Sequence, residues 1–221
     1  IQTIDVSVNA VLKSLTLSGN QILSIDVSGN PELSLLSVSN NRLVGPLTVT
    51  NNTKLESLFC ASNQISALDL SSNTLLRNLD ASDNALTVLD LNAINSVVCP
   101  EPQTDPATIC QAPASINVSR NALTSLLIAN GFNDLVSSFN ATDNPDLFCI
   151  QTDVGFSPTS GWLKDDWCYY SATTCVDIFT YVPDDNFEQA LINIGADATL
   201  DNLVLTENIE DLMDLNVSNL G

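Results

Sequence analysis

One short pattern recurs along most of the chain: apolar residues spaced L-x-x-L-x-L, followed by x-x-N-x-L. It is clearest at residues 55–65, LESLFCASNQI. The closing asparagines of the best copies are Asn20, Asn41, Asn63 and Asn84, which sets a period of 21 or 22 residues. Two looser copies contain Asn121 and Asn144. A repeat of this length is typical of a leucine-rich-repeat solenoid.

A shorter half-repeat alternates with this pattern and also ends in asparagine, as in IDVSGN at residues 25–30 and LDLSSN at residues 68–73. In a solenoid the apolar positions point into the coil, and an asparagine side chain can satisfy backbone groups at each bend. Two asparagine ladders predict a flattened coil with extended backbone on both long sides. We therefore expect a mostly β leucine-rich-repeat solenoid with 21–22-residue coils and little helix.

Composition limits the partners of such a chain. Hydrophobic residues make up 44% of its 221 residues, which excludes a disordered acidic tail. The 6 basic and 26 acidic residues leave a net charge of −20, which argues against nucleic acid and anionic membranes as partners. No apolar run reaches the ~18 residues of a membrane span, so no membrane insertion is expected. Six cysteines would suit an exported protein.

The period of the repeats is interrupted at about residues 93–112 by an insertion, which lies within the predicted array of residues 1–148. The insertion is rich in proline and has Cys99 and Cys110 near its ends. This arrangement predicts a loop closed by a local disulfide. Two interpretations remain open: a tolerated surface insertion, or a binding loop, because insertions and function both collect in loops.

Residues 149–175 depart from the repeat and are predicted to form a C-terminal cap. All aromatic residues except Phe59 lie between residues 132 and 187, and the cap holds Trp162, Trp167, Tyr169 and Tyr170. A solenoid exposes core and strand edges at its ends, so a bulky cap is physically required. The alternative is an aromatic platform that binds sugar. Cys149 and Cys175 bracket the stretch, whereas Cys168 has no obvious role.

A connector at residues 176–182 leads to a predicted helical N-terminal cap at residues 183–211. Pro183 and an aspartate precede an amphipathic run, with Phe187, Leu191 and Ile194 on one face and Gly195 after it, which are helix start and stop signals. A cap of this kind belongs to the beginning of an array. Phe187, like the aromatic residues of the C-terminal cap, is a candidate interface residue.

The leucine register resumes at residues 212–221, predicted to form the first coil of a following array. It continues through the chain ends if residue 221 is placed before residue 1, in the order Leu212, Leu215, Val217, Ile1, Ile4, Val6, Asn9. We therefore expect the chain to be one period of a tandem array, with neighbouring copies of the same unit as partners. The alternative is a fragment of a protein with two unequal repeat domains.

Both cap motifs resemble those of secreted leucine-rich-repeat proteins of Bacteroidota, the Flavobacterium type. The N-terminal cap motif is YVPDDNFEQALINIGADATLDNLVLTENI, and the C-terminal one is FCIQTD followed by a tryptophan and a closing cysteine. The repeat LFCASNQISALDLSSN is also similar to their 21-residue unit. The resemblance implies export, a bacterial cell-surface or extracellular location, adhesive or structural roles, and pairing of Cys149 with Cys175. Cys168 and the insertion with Cys99 and Cys110 depart from the family pattern.

Catalytic signatures are missing from the sequence. It has no histidine, no G-x-S-x-G nucleophile motif and no Gly-rich phosphate loop. Nothing singles out one pair among the 26 carboxylates. Cys60 stands at an inward leucine position, which indicates a buried, inert thiol. We expect no enzymatic activity.

The two long sides of the coil are predicted to present different surfaces. The ligand-face candidates, on the longer half-repeat, are Thr16, Ser37, Phe59, Asp80, Asn117 and Asn140. The shorter half-repeat presents an acidic row, Asp5, Asp26, Asp69 and Asp90, interrupted by Thr48. The row is interpreted as a solvated face that limits aggregation. The alternative is Ca²⁺ bridging between carboxylates of adjacent coils, the one cofactor considered.

These observations favour a non-enzymatic extracellular structural or adhesive protein, one period of a surface fibre or stalk. The competing function is a receptor or adhesin module that recognises a protein or glycan through Phe59, the polar face and the 99–110 loop.

Overall fold

The structure is a computed structural model that describes residues 1–94, 115–175, 179–200, 202–210 and 212–213. The chain divides into two compact units, Ile1–Thr173 and Thr174–Gly221. The strands, in chain order, are β1 Ser14–Thr16, β2 Leu35–Ser37, β3 Val44–Thr48, β4 Ser57–Phe59, β5 Gln64–Asp69, β6 Asn78–Asp80, β7 Val88–Asp90, β8 Ser115–Asn117, β9 Ser125–Leu127, β10 Ser138–Asn140, β11 Cys149–Gln151, β12 Trp162–Leu163, β13 Tyr169–Ser171, β14 Phe179–Tyr181 and β15 Leu203–Leu205. Helices occur at Asp185–Asn193 (α1), Thr206–Ile209 (α2) and, as one 3₁₀ turn, Asn133–Leu135.

The first unit is a mostly β solenoid. One long side is a seven-stranded parallel sheet in the order β1-β2-β4-β6-β8-β10-β12. Most of its strands are three residues long with a buried central residue, because alternate side chains of a strand point to opposite faces. The central residues form one inward row: Leu15, Leu36, Leu58, Leu79, Ile116, Phe139 and Trp162.

The other long side is also extended, as the second half-repeat predicts. It consists of the parallel pair β3-β5 and the parallel four-stranded sheet β13-β11-β9-β7. The pairing of β3 with β5 shifts register at Gly45/Pro46. Gly45 has a φ of +81°, a left-handed conformation that suits glycine at this bulge. One hydrophobic core lies between the two sides, and Cys60 in it is fully buried, as predicted.

The predicted insertion does not interrupt the sheet. Strand β6 pairs directly with β8, with Asn78 opposite Ser115, so the coils before and after the insertion stack on each other. Most of the insertion, with Cys99 and Cys110, lies outside the described residues.

The predicted C-terminal cap is built from strands that continue the stacking. Strand β12 pairs with β10, and β11 lies between β9 and β13. Cys149 and Cys175 form a disulfide, which confirms the expected pairing. Cys168 is a free, buried cysteine.

The second unit contains the predicted helix. The side chain of Asp184 caps α1 by accepting the Phe187 N–H at 2.9 Å, and Gly195 follows the helix with a φ of +79°. Val182, Leu191, Ala196 and Val204 form a small core. Ile194, predicted to lie on the apolar face, is 50% exposed because it caps the last turn.

Two boundaries of this unit differ from the prediction or cannot be compared with it. Part of the predicted connector is strand β14, which pairs antiparallel with β15. Aromatic and β-branched residues in FTYV favour a strand there. The predicted next coil lies outside the described residues except for positions 212 and 213.

No helix in the described part of the chain is long and apolar enough to cross a membrane.

Candidate binding surfaces

The six predicted ligand-face residues form one straight row on the seven-stranded sheet. In-register pairing places Thr16, Ser37, Phe59, Asp80, Asn117 and Asn140 side by side on successive strands. Leu163, which is 50% exposed, follows Asn140 in the same row. The sequence analysis missed Leu163 because β12 lies in the cap, where the repeat register is lost.

Three polar members of this row, Asp80, Asn117 and Asn140, are engaged by their own turns. The Oδ1 atom of Asp80 accepts the N–H and the hydroxyl of Ser82, at 3.2 and 2.6 Å. Asn117 and Asn140 make the same pair of bonds with the residue two positions later. These side chains therefore shape the exit from each strand, and their Oδ1 atoms are already occupied.

The apolar part of this face centres on Phe59. Its neighbour on the preceding strand is Ser37, and Leu35, two residues earlier on that strand, projects from the same face. Diagonal neighbours of this kind lie about 7 Å apart, within reach of an aromatic ring. Phe59 and Leu35 are both half-buried, so together they form a small apolar spot in a polar surface. Leu35 was not predicted, because in the repeat it stands at a variable position.

The acidic residues have a local structural role at the end of the shorter half-repeat. Oδ1 of Asp5, Asp26, Asp69 and Asp90 each accepts the backbone N–H of the residue two positions later, at 2.8–2.9 Å. The pKa values of Asp26 and Asp69 are lowered mainly by the hydroxyls and then by the N–H groups of Ser28 and Ser71. For Asp5 the N–H of Ser7 lowers the pKa most. The bonds favour the ionised form of these fully exposed side chains.

No group of three or more cysteine, aspartate or glutamate residues in the described ranges could hold a metal ion. Ca²⁺ bridging, the alternative interpretation of the acidic row, would therefore depend on pairs of carboxylates from neighbouring coils, and the solvated face stays the prediction.

Asparagines of the longer half-repeat tie each coil to the preceding one. Asn63 Nδ2 donates to the carbonyls of Cys60 and Ala61 in its own coil and to Val38 O in the preceding coil, at 3.0–3.1 Å. Its Oδ1 accepts the Leu43 N–H at 3.0 Å. Asn41, Asn84, Asn121 and Asn144 repeat this set of bonds. This ladder confirms the predicted use of asparagine at the bend.

The ladder of the shorter half-repeat is different. The fully buried Asn30, Asn52 and Asn73 each donate from Nδ2 to two carbonyls of the preceding coil. In the next coil, Ile94 occupies the asparagine position. Its backbone N–H donates to Leu91 O at 3.1 Å, so the turn is retained.

The predicted cap aromatics are part of the core rather than an open platform. The Trp162 ring is 6% exposed and stacks on Phe139, with ring centroids 4.3 Å apart. Phe156 and Tyr170 pack on the same ring, and Trp162 Nε1 donates to Val136 O at 3.2 Å. Trp167 and Tyr169 are half-buried. Trp162 therefore closes the end of the hydrophobic core.

Two comparisons with known proteins find no match: no protein-family model matches the sequence, and neither does any curated protein. Among solved structures, the chain is similar to one described as the functional domain of InlJ from Listeria monocytogenes, which includes a cysteine ladder. The sequence identity is 21% and the TM-score is 0.45. The match covers 77% of this chain and 41% of that chain, so this chain spans less than half of its length.

Proposed function

We propose that this chain is a non-enzymatic, extracellular structural unit of a bacterial surface fibre or stalk, whose arrays stack coil upon coil. The observation that carries this proposal is the unbroken stacking of the described coils, in which parallel strands and asparagine side chains bond each coil to its neighbour.

Ile1 occupies the slot that closes a coil. Its nitrogen donates to Asn20 Oδ1 at 2.8 Å, as the Ile22 N–H donates to Asn41 Oδ1 at 3.0 Å. Its carbonyl accepts the Gln21 N–H at 2.9 Å, as Ile22 O accepts the Arg42 N–H at 3.0 Å.

The extracellular location is supported by the Cys149–Cys175 disulfide, because such bonds persist in oxidising compartments. The resemblance of both cap motifs to secreted Bacteroidota proteins supports the same location. The non-enzymatic character rests on the missing catalytic signatures.

The intact mass of the native protein, with negative-stain images of the same sample, tests the proposal. A mass many times 23.6 kDa together with regularly beaded threads is expected for a covalent tandem array. A small mass in threads would mean separate subunits that dock end to end. Small mass and isolated particles would overturn the proposed fibre.

A variant of the purified chain tests docking at the end surface, the outer face of the first described coil. Leu12 is partly buried against the core at this end, so Leu12→Lys should abolish concentration-dependent association in analytical ultracentrifugation. The matched control is Val88→Lys, because Val88 is 54% exposed in an inner coil. Equal association of both variants would show that the end surface does not mediate docking.

A receptor or adhesin module is the second candidate, favoured by the Phe59 and Leu35 spot in the polar row. Its ligand would be a glycan or protein. Screening the chain on glycan and protein arrays, with Phe59→Ser as the comparison, tests this function. Binding that Phe59→Ser leaves unchanged would exclude the row as the ligand surface.

A further inference from the structure

The second long side of the solenoid carries an exposed apolar row that its repeat pattern does not require. Leu23, Val44 and Val88 are 59%, 62% and 54% exposed. Pro46 and Ala67 are exposed between them. We name these five residues the apolar strip. Single exposed apolar residues are normal on protein surfaces, whereas an aligned group of them marks an interaction surface.

The strip is continuous across four successive coils. The Val44 N–H bonds Leu23 O at 3.3 Å, and Pro46 lies directly opposite Ala67 in the β3-β5 pair. Strand β7, which begins with Val88, packs beside β5. With strands about 4.8 Å apart, the strip is about 14 Å long.

An acidic border runs along one edge of the strip. Asp69 and Asp90 follow Ala67 and Val88 with one inward residue between. Asp26 follows Leu23 in the preceding part of the strip with two residues, Ser24 and Ile25, between. Their turn bonds keep the carboxylates on the surface. The other border carries one positive charge, Arg42, between the neutral Gln21 and Gln64.

We propose that the apolar strip and its acidic border dock a cationic amphipathic helix of a partner protein. The helix would place apolar side chains on the strip and Lys or Arg side chains against Asp26, Asp69 and Asp90. Charge complementarity selects a cationic partner, and the apolar strip selects one with an apolar face.

The spacing favours a helix that crosses the coils. One helical turn rises 5.4 Å, close to the coil spacing of about 4.8 Å, so each turn meets one coil. A helix of about 14 residues, some 21 Å long, would cover the whole strip. This surface lies on the other long side from the Phe59 row and does not involve the end surface of the first coil, so it is independent of the proposed function.

The probe for this site is a synthetic 14-residue leucine–lysine peptide with one leucine stripe bordered by lysines. Binding is measured by fluorescence anisotropy at about 0.15 M salt, where exposed charges more than about 8 Å apart are largely screened. The control peptide has the same composition in scrambled order. We expect the scrambled peptide to bind at least about tenfold more weakly, because it cannot align leucines with the strip.

Variants of the chain locate the peptide on the strip. Val44→Asp should weaken binding at least about tenfold, and Val8→Asp, at an exposed position outside the strip, should leave it unchanged. Asp69→Asn with Asp90→Asn should weaken binding about threefold or more and reduce its salt dependence. Asparagine keeps the Oδ1 acceptor, so the turns at both positions are retained.

The outcome that overturns the proposal is equal binding of the ordered and scrambled peptides, which would show only general attraction to an acidic protein. Equal binding by Val44→Asp, or no binding at about 0.15 M salt, would overturn it too.

Discussion

At the residue scale, asparagine holds neighbouring coils together because its side chain both donates and accepts. Asn63 joins three carbonyls and one N–H from two coils. A side chain without the amide would leave several of these groups buried and unpaired. Leaving a buried polar group without a partner costs more free energy than a typical hydrogen bond contributes to stability.

We predict that Asn63→Ala lowers the free energy of unfolding by about 2–4 kcal/mol, because buried backbone groups lose their partners. Urea unfolding measures the change. Asn51→Ala is the control, since exposed Asn51 makes one long bond of 3.4 Å to Ser28 O and should cost less than about 0.5 kcal/mol. Equal losses at both positions would contradict the ladder.

The serine two positions after Asp26 should control the titration of that aspartate. The Ser28 hydroxyl and N–H lower the pKa of Asp26 below 3.8. The folded state therefore favours the carboxylate, and this contribution to stability is present above pH 3.8 and lost as the pH falls through the lowered pKa. We predict that Ser28→Ala raises the Asp26 pKa, measured by NMR titration of the side-chain carboxyl. An unchanged Asp26 titration would rule out the hydroxyl as the cause.

The thiol of Cys60 should be unreactive in the folded protein. Burial and, to a smaller extent, the nearby charge of Asp80 raise its pKa to about 12. At pH 8 the thiolate is scarce and shielded from solvent. We predict that iodoacetamide labels the Cys60 peptide only in denaturant, as followed by mass spectrometry. Rapid labelling under native conditions would show that this coil opens locally.

At the element scale, two aspartates end the solenoid where an asparagine would continue it. Both carboxylate oxygens of Asp165 accept N–H groups, from Asp143 and Asn144, at 3.0 Å. Asp153 accepts from Gly131 and Asn133 at 2.7 and 2.9 Å. A carboxylate accepts hydrogen bonds from two N–H groups and has no N–H group that would itself need an acceptor. This property suits the last coil.

The disulfide should stabilise the C-terminal coils specifically. In a solenoid each coil contacts only its neighbours, so losing the cross-link acts first on the coils near it. We predict that Cys149→Ser with Cys175→Ser costs about 3 kcal/mol and lowers hydrogen-exchange protection in peptides from residues 138–171. Peptides before residue 94 should keep their protection. A uniform loss along the whole solenoid would contradict this localisation.

At the scale of the whole molecule, the net charge of −20 works against compactness. Cations should relieve the repulsion along the acidic row by screening alone, if the row is a solvated face. We predict that Ca²⁺ at millimolar concentration raises the thermal midpoint no more than Mg²⁺ at equal ionic strength. A rise with Ca²⁺ only would support bridging between coils.

The register of the repeat was sufficient to predict both extended sides, the inward row, the aligned polar row and the first asparagine ladder. Each of these features depends on a local pattern that recurs once per coil, so the place of a residue in one coil predicts the place of its equivalent in the next coil. The helix of the second unit followed from its capping residues. The disulfide pairing came from the family resemblance, because spacing alone cannot select partners among six cysteines.

The contacts between coils determined the features that the sequence did not predict. Only the stacked coils show that β6 meets β8 across the insertion, and that Leu35 lies beside Phe59. The apolar strip likewise exists because Leu23, Val44, Ala67 and Val88, from four different coils, align on one side. Local periodicity was enough to predict which side chains face inward. Which outward side chains share a surface became apparent only from the fold, because it depends on the register between residues 20 or 21 positions apart.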